Sequence, residues 1–104
     1  MDIFEIYKTL SNETRLNILK WLKNPGNYFA RQEYQVNGRT DWDIGVCVCS
    51  IQKKANVSQS TISHYLDILQ RAGLLIAERR GKWTYYRRNE ETIQRAADYM
   101  THEL

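Results

Sequence analysis

Apolar residues recur at helical spacing in two stretches near the N-terminus of the chain. The first stretch ends near Leu10, and the second begins after Ser11, a residue type that is favoured at helix N-caps. The Asn-Pro-Gly sequence at residues 24–26 stops the second stretch, because proline and glycine both disrupt helices. The pattern therefore predicts two short amphipathic helices before residue 24.

Residues 24–43 show no clear hydrophobic period, and aromatic residues are scattered through them. We interpret this segment as a long loop insertion in which Asn37-Gly38 is suited to close a short hairpin. Loops of about 20 residues are uncommon in compact domains and are often functional. The alternative is an ordered insertion whose aromatic side chains serve only in packing.

The next two periodic segments are separated by a very short turn. Residues 44–55 predict a third helix, and Asn56 and Val57 form the turn. Ser58 then occupies the N-cap position of a fourth helix over residues 58–70. Two helices joined by a tight turn predict a helix-turn-helix with 58–70 as its recognition helix.

Strand-forming residues dominate the segment that follows. Residues 74–87 predict a β-hairpin that turns at Arg80-Gly81-Lys82, and a hairpin in this position is the wing of a winged helix. Residues 90–104 predict a C-terminal amphipathic helix. We therefore expect one domain over residues 1–104, mainly α-helical with a small hairpin wing and about five helices.

Length and composition exclude several classes of protein. The 104 residues, 42% of them apolar, suit a single core, and no apolar run approaches the about 20 residues of a membrane span. The N-terminus lacks the pattern of a secretory signal, so we expect a cytoplasmic protein whose two cysteines remain thiols. We do not expect an enzyme, because the sequence offers no phosphate-binding glycine loop and no nucleophile with an evident base.

Basic residues are concentrated in one third of the chain. Residues 52–88 contain eight Lys or Arg and two acidic residues, whereas the rest contains seven basic and ten acidic residues. This asymmetry is typical of a surface that faces nucleic-acid phosphates, although a solvated positive face without a partner would show it too.

Polar residues at the start of the predicted recognition helix fall away from its apolar stripe of Ile62, Leu66 and Leu69. Short donors and acceptors there can reach base edges in a major groove, and hydroxyls at a helix N-terminus suit phosphates. The basic wing tip suits the DNA backbone or a minor groove. The predicted DNA contacts are Ser58, Gln59, Ser60, Thr61, Ser63 and His64 on the helix, and Arg79, Arg80 and Lys82 on the wing.

These features predict a sequence-specific regulator that binds double-stranded DNA. A dimer would place two recognition helices in successive major grooves about 34 Å apart, so we expect an imperfect inverted repeat as operator. The alternative is a winged helix that serves as a protein-interaction or scaffolding module without specific DNA binding. The density of basic residues in 52–88 argues against that alternative.

Several segments together resemble the ArsR/SmtB family of winged-helix bacterial repressors. The segments are LSNETRLNIL at 10–19, VCVCS at 46–50, SQSTISHYL at 58–66, RAGL at 71–74 and GKWTYY at 81–86. The resemblance implies a homodimer, built through the first and last helices, that represses its own operon and releases DNA on sensing an effector. The chain departs from the arsenic-sensing pattern at Gln52, where a third cysteine is expected, and it lacks the D-x-H spacing of zinc sensors.

Cys47 and Cys49 are a candidate effector or redox site. Two thiolates can share a thiophilic metal or metalloid ion. On a regular helix, residues i and i+2 point about 200° apart, so chelation requires an unwound helix start or a ligand from elsewhere. The same geometry disfavours a disulfide between the two. There are two other interpretations: a redox-reactive thiol, or one buried and one exposed thiol with only a structural role. No metal or cofactor is assigned.

Overall fold

The computed structural model describes residues 2–30 and 41–104, and within them the chain forms a winged helix. The helices are α1 (Ile3–Leu10), α2 (Glu13–Lys23), α3 (Asp41–Ile44), α4 (Val48–Ala55), α5 (Gln59–Arg71) and α6 (Glu90–His102), with a 3-10 turn at Pro25–Asn27. Strands β1 (Val46–Cys47), β2 (Leu75–Arg80) and β3 (Trp83–Arg88) form an antiparallel sheet in the order β1-β3-β2. The predicted fold class is confirmed, and the hairpin suggested at Asn37-Gly38 lies outside the described residues.

The prediction of one continuous helix over residues 44–55 is wrong. α3 ends at Ile44, two residues pair with β3 as β1, and α4 starts only at Val48. Gly45 makes the change of direction possible, because its φ is +128° and a Cβ on it would lie 2.5 Å from the carbonyl oxygen of Tyr86. The apolar run is therefore helix, strand and helix in succession, and each piece is too short for its own period to show.

The cap between α1 and α2 also differs from the prediction. Asn12 is the N-cap of α2 and accepts a 3.0 Å hydrogen bond from the Arg15 N–H. Ser11 instead closes α1, where its hydroxyl donates to the carbonyl oxygen of Lys8 at 2.7 Å. Serine and asparagine are about equally favoured as N-caps, so residue type does not distinguish the two adjacent candidates.

A single large core joins the helices to the sheet. Its fully buried members include Ile18 of α2, Ile51 of α4, and Ile62, Leu66 and Leu69 of α5. Burial of each such side chain stabilises the fold by about 1.5 to 3 kcal/mol. Because three of them belong to one face of α5, the core fixes which face of α5 remains in solvent.

The first and last helices of the fold contact each other. The Tyr7 hydroxyl of α1 donates a 3.1 Å hydrogen bond to the carbonyl oxygen of Ala96 in α6. These helices also carry exposed apolar side chains, namely Phe4 (73% exposed) on α1 and Met100 (54% exposed) on α6, with Leu104 just beyond α6. The α1–α6 pair thus presents apolar surface that the described chain leaves uncovered.

Candidate nucleic-acid interface

A short turn fixes the geometry between α4 and α5. Asn56 takes the left-handed conformation with φ +56° and closes α4 by donating its N–H to the carbonyl oxygen of Gln52 at 2.9 Å. Asparagine tolerates this conformation better than most residues. The Gln52 side-chain amide also reaches the carbonyl oxygen of Val57 at 3.4 Å. The turn is therefore held by both backbone and side-chain bonds.

Ser58 caps the N-terminus of α5, as the sequence predicts. Its hydroxyl oxygen accepts the Thr61 N–H at 3.1 Å, and its hydroxyl lies 2.9 Å from the Thr61 hydroxyl oxygen, to which it donates. The Ser60 hydroxyl lies 3.2 Å from the Ser58 hydroxyl. The first turn of α5 is thus a cluster of hydroxyls beside backbone N–H groups, which is favourable for a negatively charged oxygen.

The remaining predicted base-contacting residues lie in solvent. Gln59, Ser63 and His64 are exposed, whereas Ile62 between them is fully buried. Further along the same side of α5, Arg71 Nε forms an exposed ion pair with Asp67 at 3.0 Å. The positive charge of Arg71 therefore balances the negative charge of Asp67 there. The N-terminal half of α5 therefore presents uncharged polar groups that no core contact occupies.

The wing turns tightly at Gly81. Arg80 pairs with Trp83 across the hairpin, and Gly81 has φ +61° at the first central position of the two-residue turn, as a type II′ turn requires. The exposed cations at this tip are Arg79 and Lys82. Neither pairs with a carboxylate within residues 2–30 and 41–104, and both side chains remain exposed, with Arg79 Nε donating a 3.0 Å hydrogen bond to the carbonyl oxygen of Gly81.

Arg80 is placed differently from its neighbours. Its guanidinium contacts the carboxylate of Glu78, which also binds Arg87 Nη1 at 2.7 Å. The Arg80 side chain is only 27% exposed. The three predicted wing cations are therefore not equivalent, because the charge of Arg80 is largely used inside the protein.

Trp83 is a wing residue that the sequence analysis did not single out for DNA contact. It is 47% exposed, and Lys82 Nζ lies 5.7 Å from its ring centroid. Trp83 shares a strand face with the buried Tyr85, and alternation alone therefore assigns it to the core. Trp83 is the first residue of β3, next to the wing turn and beyond the core, and this position explains why it is exposed while Tyr85 is buried.

Aromatic residues of the 24–43 segment pack where the structure describes them. Phe29 meets Trp21 edge-on with ring centroids 6.4 Å apart, and Lys54 Nζ lies 5.5 Å from the Tyr28 ring and 5.4 Å from the Trp21 ring. These contacts join α2, the 3-10 turn and the C-terminal end of α4. The described part of the insertion therefore braces the first helix of the helix-turn-helix.

The two cysteines lie together, contrary to the helical geometry expected for them. Cys47 is the extended N-cap of α4 with φ −60° and ψ 139°, and Cys49 belongs to the first turn. As a result the two sulfur atoms are 2.7 Å apart, with Cys47 buried and Cys49 exposed. The unwound helix start that a joint thiol site requires is present.

Burial affects the acid–base properties of two residues near this junction. Loss of solvent around Cys47, followed by its hydrogen bond with Cys49, raises the pKa of the Cys47 thiol to about 11. Burial and the negative charge of Asp67 also raise the pKa of the Tyr86 hydroxyl. Both groups therefore remain protonated at neutral pH.

The thiol pair by itself does not complete a metal site. Among residues 2–30 and 41–104, no group of three or more His, Cys, Asp or Glu side chains is close enough to hold one ion. A thiophilic ion at Cys47 and Cys49 would need ligands from solvent, from another chain or from elsewhere in this one.

None of the helices within residues 2–30 and 41–104 is long and apolar enough to cross a membrane.

Comparison with known proteins places this geometry in a family. The profile described as "Bacterial regulatory protein, arsR family" matches residues 46–77, which run from β1 through α5 into β2. The chain is 51% identical over 104 residues to the HTH-type transcriptional regulator YbzH of Bacillus subtilis, and the match covers 100% of both chains. It is 31% identical over 83 residues to the arsenical resistance operon repressor of Escherichia coli, covering 80% of this chain and 56% of that protein.

Solved structures share the fold. A possible transcriptional regulatory protein of Mycobacterium bovis superposes with a TM-score of 0.62 at 25% identity, covering 95% of this chain and 87% of the other. HlyU of Vibrio cholerae superposes with a TM-score of 0.61 at 20% identity, covering 97% and 91%, which supports the fold alone. With the capped recognition helix, the basic wing and the full-length similarity to YbzH taken together, this chain belongs to the arsR family of bacterial regulatory proteins and is a DNA-binding transcriptional regulator.

Proposed function

We propose that this regulator is a homodimeric, sequence-specific repressor that binds an imperfect inverted repeat and leaves it when an effector acts on the protein. The observation that carries the proposal is the exposed polar face of α5, where Gln59, Ser63 and His64 flank the buried Ile62. Glutamine can bond an adenine through two hydrogen bonds, and serine and histidine can reach other base edges. Because the opposite face of α5 is buried in the core, this polar face is exposed to solvent in the free protein.

The charged groups around α5 support affinity rather than specificity. Arg79 and Lys82 at the wing tip suit phosphates or a minor groove, and the hydroxyl cluster at Ser58 suits a phosphate at the helix N-terminus. α5 packs against the sheet that carries the wing. The two surfaces are therefore held next to each other and can engage one duplex together.

Dimerisation is the second part of the proposal. Exposed Phe4 and Met100 lie on α1 and α6, which are already joined by the bond from Tyr7 to Ala96. A second copy of the chain would remove this apolar surface from water. A two-fold dimer then presents two α5 helices to half-sites about 34 Å apart, which is why the operator should be an inverted repeat.

The repressor role follows the name of one relative. The Escherichia coli protein is named as an operon repressor, and the similarity covers 80% of this chain. A dimer seated across two major grooves would occlude the same DNA from polymerase. The thiol pair at the start of α4 is the site at which we place effector action.

The test begins by selecting bound sequences from a library of random DNA duplexes with the purified chain. We expect an inverted repeat to emerge, with an affinity that falls steeply as salt rises because basic side chains displace counterions. The Gln59→Ala, Ser63→Ala, His64→Ala triple variant should lose at least about tenfold in affinity for that repeat, since each well-formed base contact is worth about 1 to 3 kcal/mol.

Gln70→Ala is the matched control. Gln70 is exposed on the same helix, 11 residues after Gln59, or about 16 Å further along its axis. It should bind the selected duplex as the wild type does. If the triple variant binds normally, or if no salt-sensitive binding to any duplex is found, the chain does not read DNA with α5 and the proposal fails.

A further inference from the structure

The contact between Cys47 and Cys49 joins two parts of the fold that the proposed function uses. Cys47 is the last residue of β1, and its backbone pairs with Tyr85 of β3 in the wing sheet. Cys49 lies in the first turn of α4, the helix that packs against α5. Their sulfur atoms, 2.7 Å apart, therefore meet where the wing sheet and the helix-turn-helix are connected.

The two thiols differ in what can reach them. Cys49 is exposed and lines an open cleft of about 320 Å³, together with Gln52, Lys53, Asn56 and Val57. Cys47 is only 7% exposed and packs with Ile44 and Tyr85 in a small buried cluster. A small oxidant in solvent can therefore reach Cys49 first, while Cys47 lies behind it.

We propose that Cys49 is a modification site for hydroperoxides and that Cys47 converts the modified residue into an intrachain disulfide between residues 47 and 49. This inference rests on the proposed function only for its consequence on DNA binding. Lys53 is four residues after Cys49 in α4 and lines the same cleft.

The chemistry takes two balanced steps. The Cys49 thiolate attacks one oxygen of the peroxide, the O–O bond breaks, and the other oxygen leaves as an alcohol or water after taking a proton, which makes Cys49 a sulfenic acid. The Cys47 sulfur then attacks the Cys49 sulfur and displaces the hydroxyl group, which leaves as water with the Cys47 proton. Two thiols are oxidised, one hydroperoxide is reduced, and the disulfide is the product.

The order of the steps agrees with the surroundings of each thiol. Cys47 is buried and its pKa is raised to about 11, so it is protonated near neutral pH, and its attack on Cys49 relies on the contact between the two sulfur atoms and on loss of its proton to the departing hydroxyl group. The two sulfur atoms are in contact before oxidation, and closing a disulfide of about 2.05 Å with its preferred dihedral angle requires a local change of these two side chains. The sequence-based expectation against this disulfide assumed a helix at both positions, and Cys47 is not in one.

The new bond would change the connection between β1 and the first turn of α4. Because β1 belongs to the wing sheet and α4 supports α5, the two DNA-contacting surfaces would shift relative to each other. We expect the disulfide to weaken operator binding about tenfold, the size of an ordinary coupling between two sites. Since Cys49 is exposed, thiol reductants should reverse the change.

The chemical test uses the purified chain, reduced and then treated with hydrogen peroxide, followed by intact-mass measurement without reductant. Wild type should become lighter by two hydrogen atoms, remain a single chain and return to its first mass with dithiothreitol. Cys47→Ser should stop at a sulfenic acid that dimedone traps. Cys49→Ser should keep its remaining thiol under the same treatment.

Several results would overturn the proposal. The first is a disulfide that forms only between chains. The second is oxidation of Cys49 in wild type beyond the sulfenic acid without a disulfide. The third is identical behaviour of wild type and Cys47→Ser. Circular dichroism of both serine variants checks that they fold, and the mass readout of wild type does not depend on either variant.

The DNA measurement separates this inference from the proposed function. The duplex chosen by selection is titrated with reduced and oxidised wild type and with the Cys47→Ser, Cys49→Ser double variant. We expect weaker binding only for oxidised wild type. A disulfide that forms without changing affinity would overturn the regulatory part, whereas failure of the reduced protein to bind any duplex would overturn the proposed function and leave the mass result standing.

Discussion

The guanidinium of Arg80 lies against the carboxylate of Glu78, two residues earlier on the same strand, while Arg79 between them points its charge to solvent. The Glu78 carboxylate binds Arg87 as well, at 2.7 Å. One acidic residue therefore divides the basic residues of the wing into side chains paired within the protein and side chains that remain exposed.

This division predicts different effects for neighbouring substitutions in the wing. Lys82→Gln and Arg79→Gln should each lower the slope of log affinity against log salt by about one, the effect of one lost phosphate contact. Arg80→Gln should change that slope by less than half as much and should instead lower the free energy of unfolding by about 1 kcal/mol. Titrations at several salt concentrations and urea unfolding measure the two effects. An Arg80→Gln slope equal to that of Lys82→Gln would contradict the assignment.

The exposed apolar residues of α1 and α6 predict how the proposed dimer can be broken. Phe4→Glu combined with Met100→Glu should give a monomer, because a dimer interface would have to bury both new charges. The monomer should bind the inverted repeat at least about tenfold more weakly, since it loses the second half-site. Sedimentation velocity gives the oligomeric state. Asn27→Glu is the control, because Asn27 is exposed and belongs to neither α1 nor α6, and it should leave the oligomeric state unchanged. If the double variant keeps the wild-type mass in solution, this interface is excluded.

Gly45 predicts a large loss of stability from one added methyl group. In Gly45→Ala the Cβ would lie 2.5 Å from the Tyr86 carbonyl oxygen at a φ of +128°, so β1 and β3 must separate. We expect a loss of about 2 to 4 kcal/mol in the free energy of unfolding. Gly26→Ala is the control, because its Cβ would meet Trp42 at an ordinary 3.5 Å and should change stability by less than about 1 kcal/mol. Urea unfolding of both variants decides between them.

The buried Cys47 thiol predicts a specific dependence of stability on pH. Its pKa in the folded protein is about 11, above the ordinary value of 9.0, so the folded state holds the proton more tightly than the unfolded state. The stabilisation is fully present below pH 9 and is lost as pH rises towards 11. Between pH 8 and pH 10 wild type should lose about 1 kcal/mol more than Cys47→Ala in urea unfolding under reducing conditions. Parallel pH profiles for the two proteins would show that the thiol does not titrate this way.

The helix-turn-helix and the wing could be predicted because each is encoded by neighbours in the chain. The apolar stripe of α5 and the capping hydroxyl of Ser58 are local features, and so is the glycine that the wing turn requires at 81. The exposed positions of Gln59, Ser63 and His64 followed from the same periodicity. The sequence pattern alone therefore predicted which face of α5 is buried and which is exposed.

The segment around the cysteines could not be predicted in the same way. β1 exists only because β3, almost 40 residues later, pairs with it, and Gly45 is required only because the Tyr86 backbone lies against it. The contact between the two sulfur atoms depends on this pairing, since it holds Cys47 extended ahead of α4. Glu78 and Arg80 share one face of β2, as strand alternation predicts, whereas the second partner of Glu78, Arg87, comes from β3 across the hairpin.

The amino-acid sequence by itself determined α1, α2, α5, α6 and the wing hairpin of this regulator to within a few residues, because short-range periodicity and turn residues decide those elements. Only the tertiary structure decided that Glu78 binds both Arg80 and Arg87, and that two thiols expected on opposite sides of an ideal helix meet. The physical reason is that both depend on β3, which pairs with β2 across the hairpin and with β1 almost 40 residues earlier in the chain, and no local pattern contains these pairings.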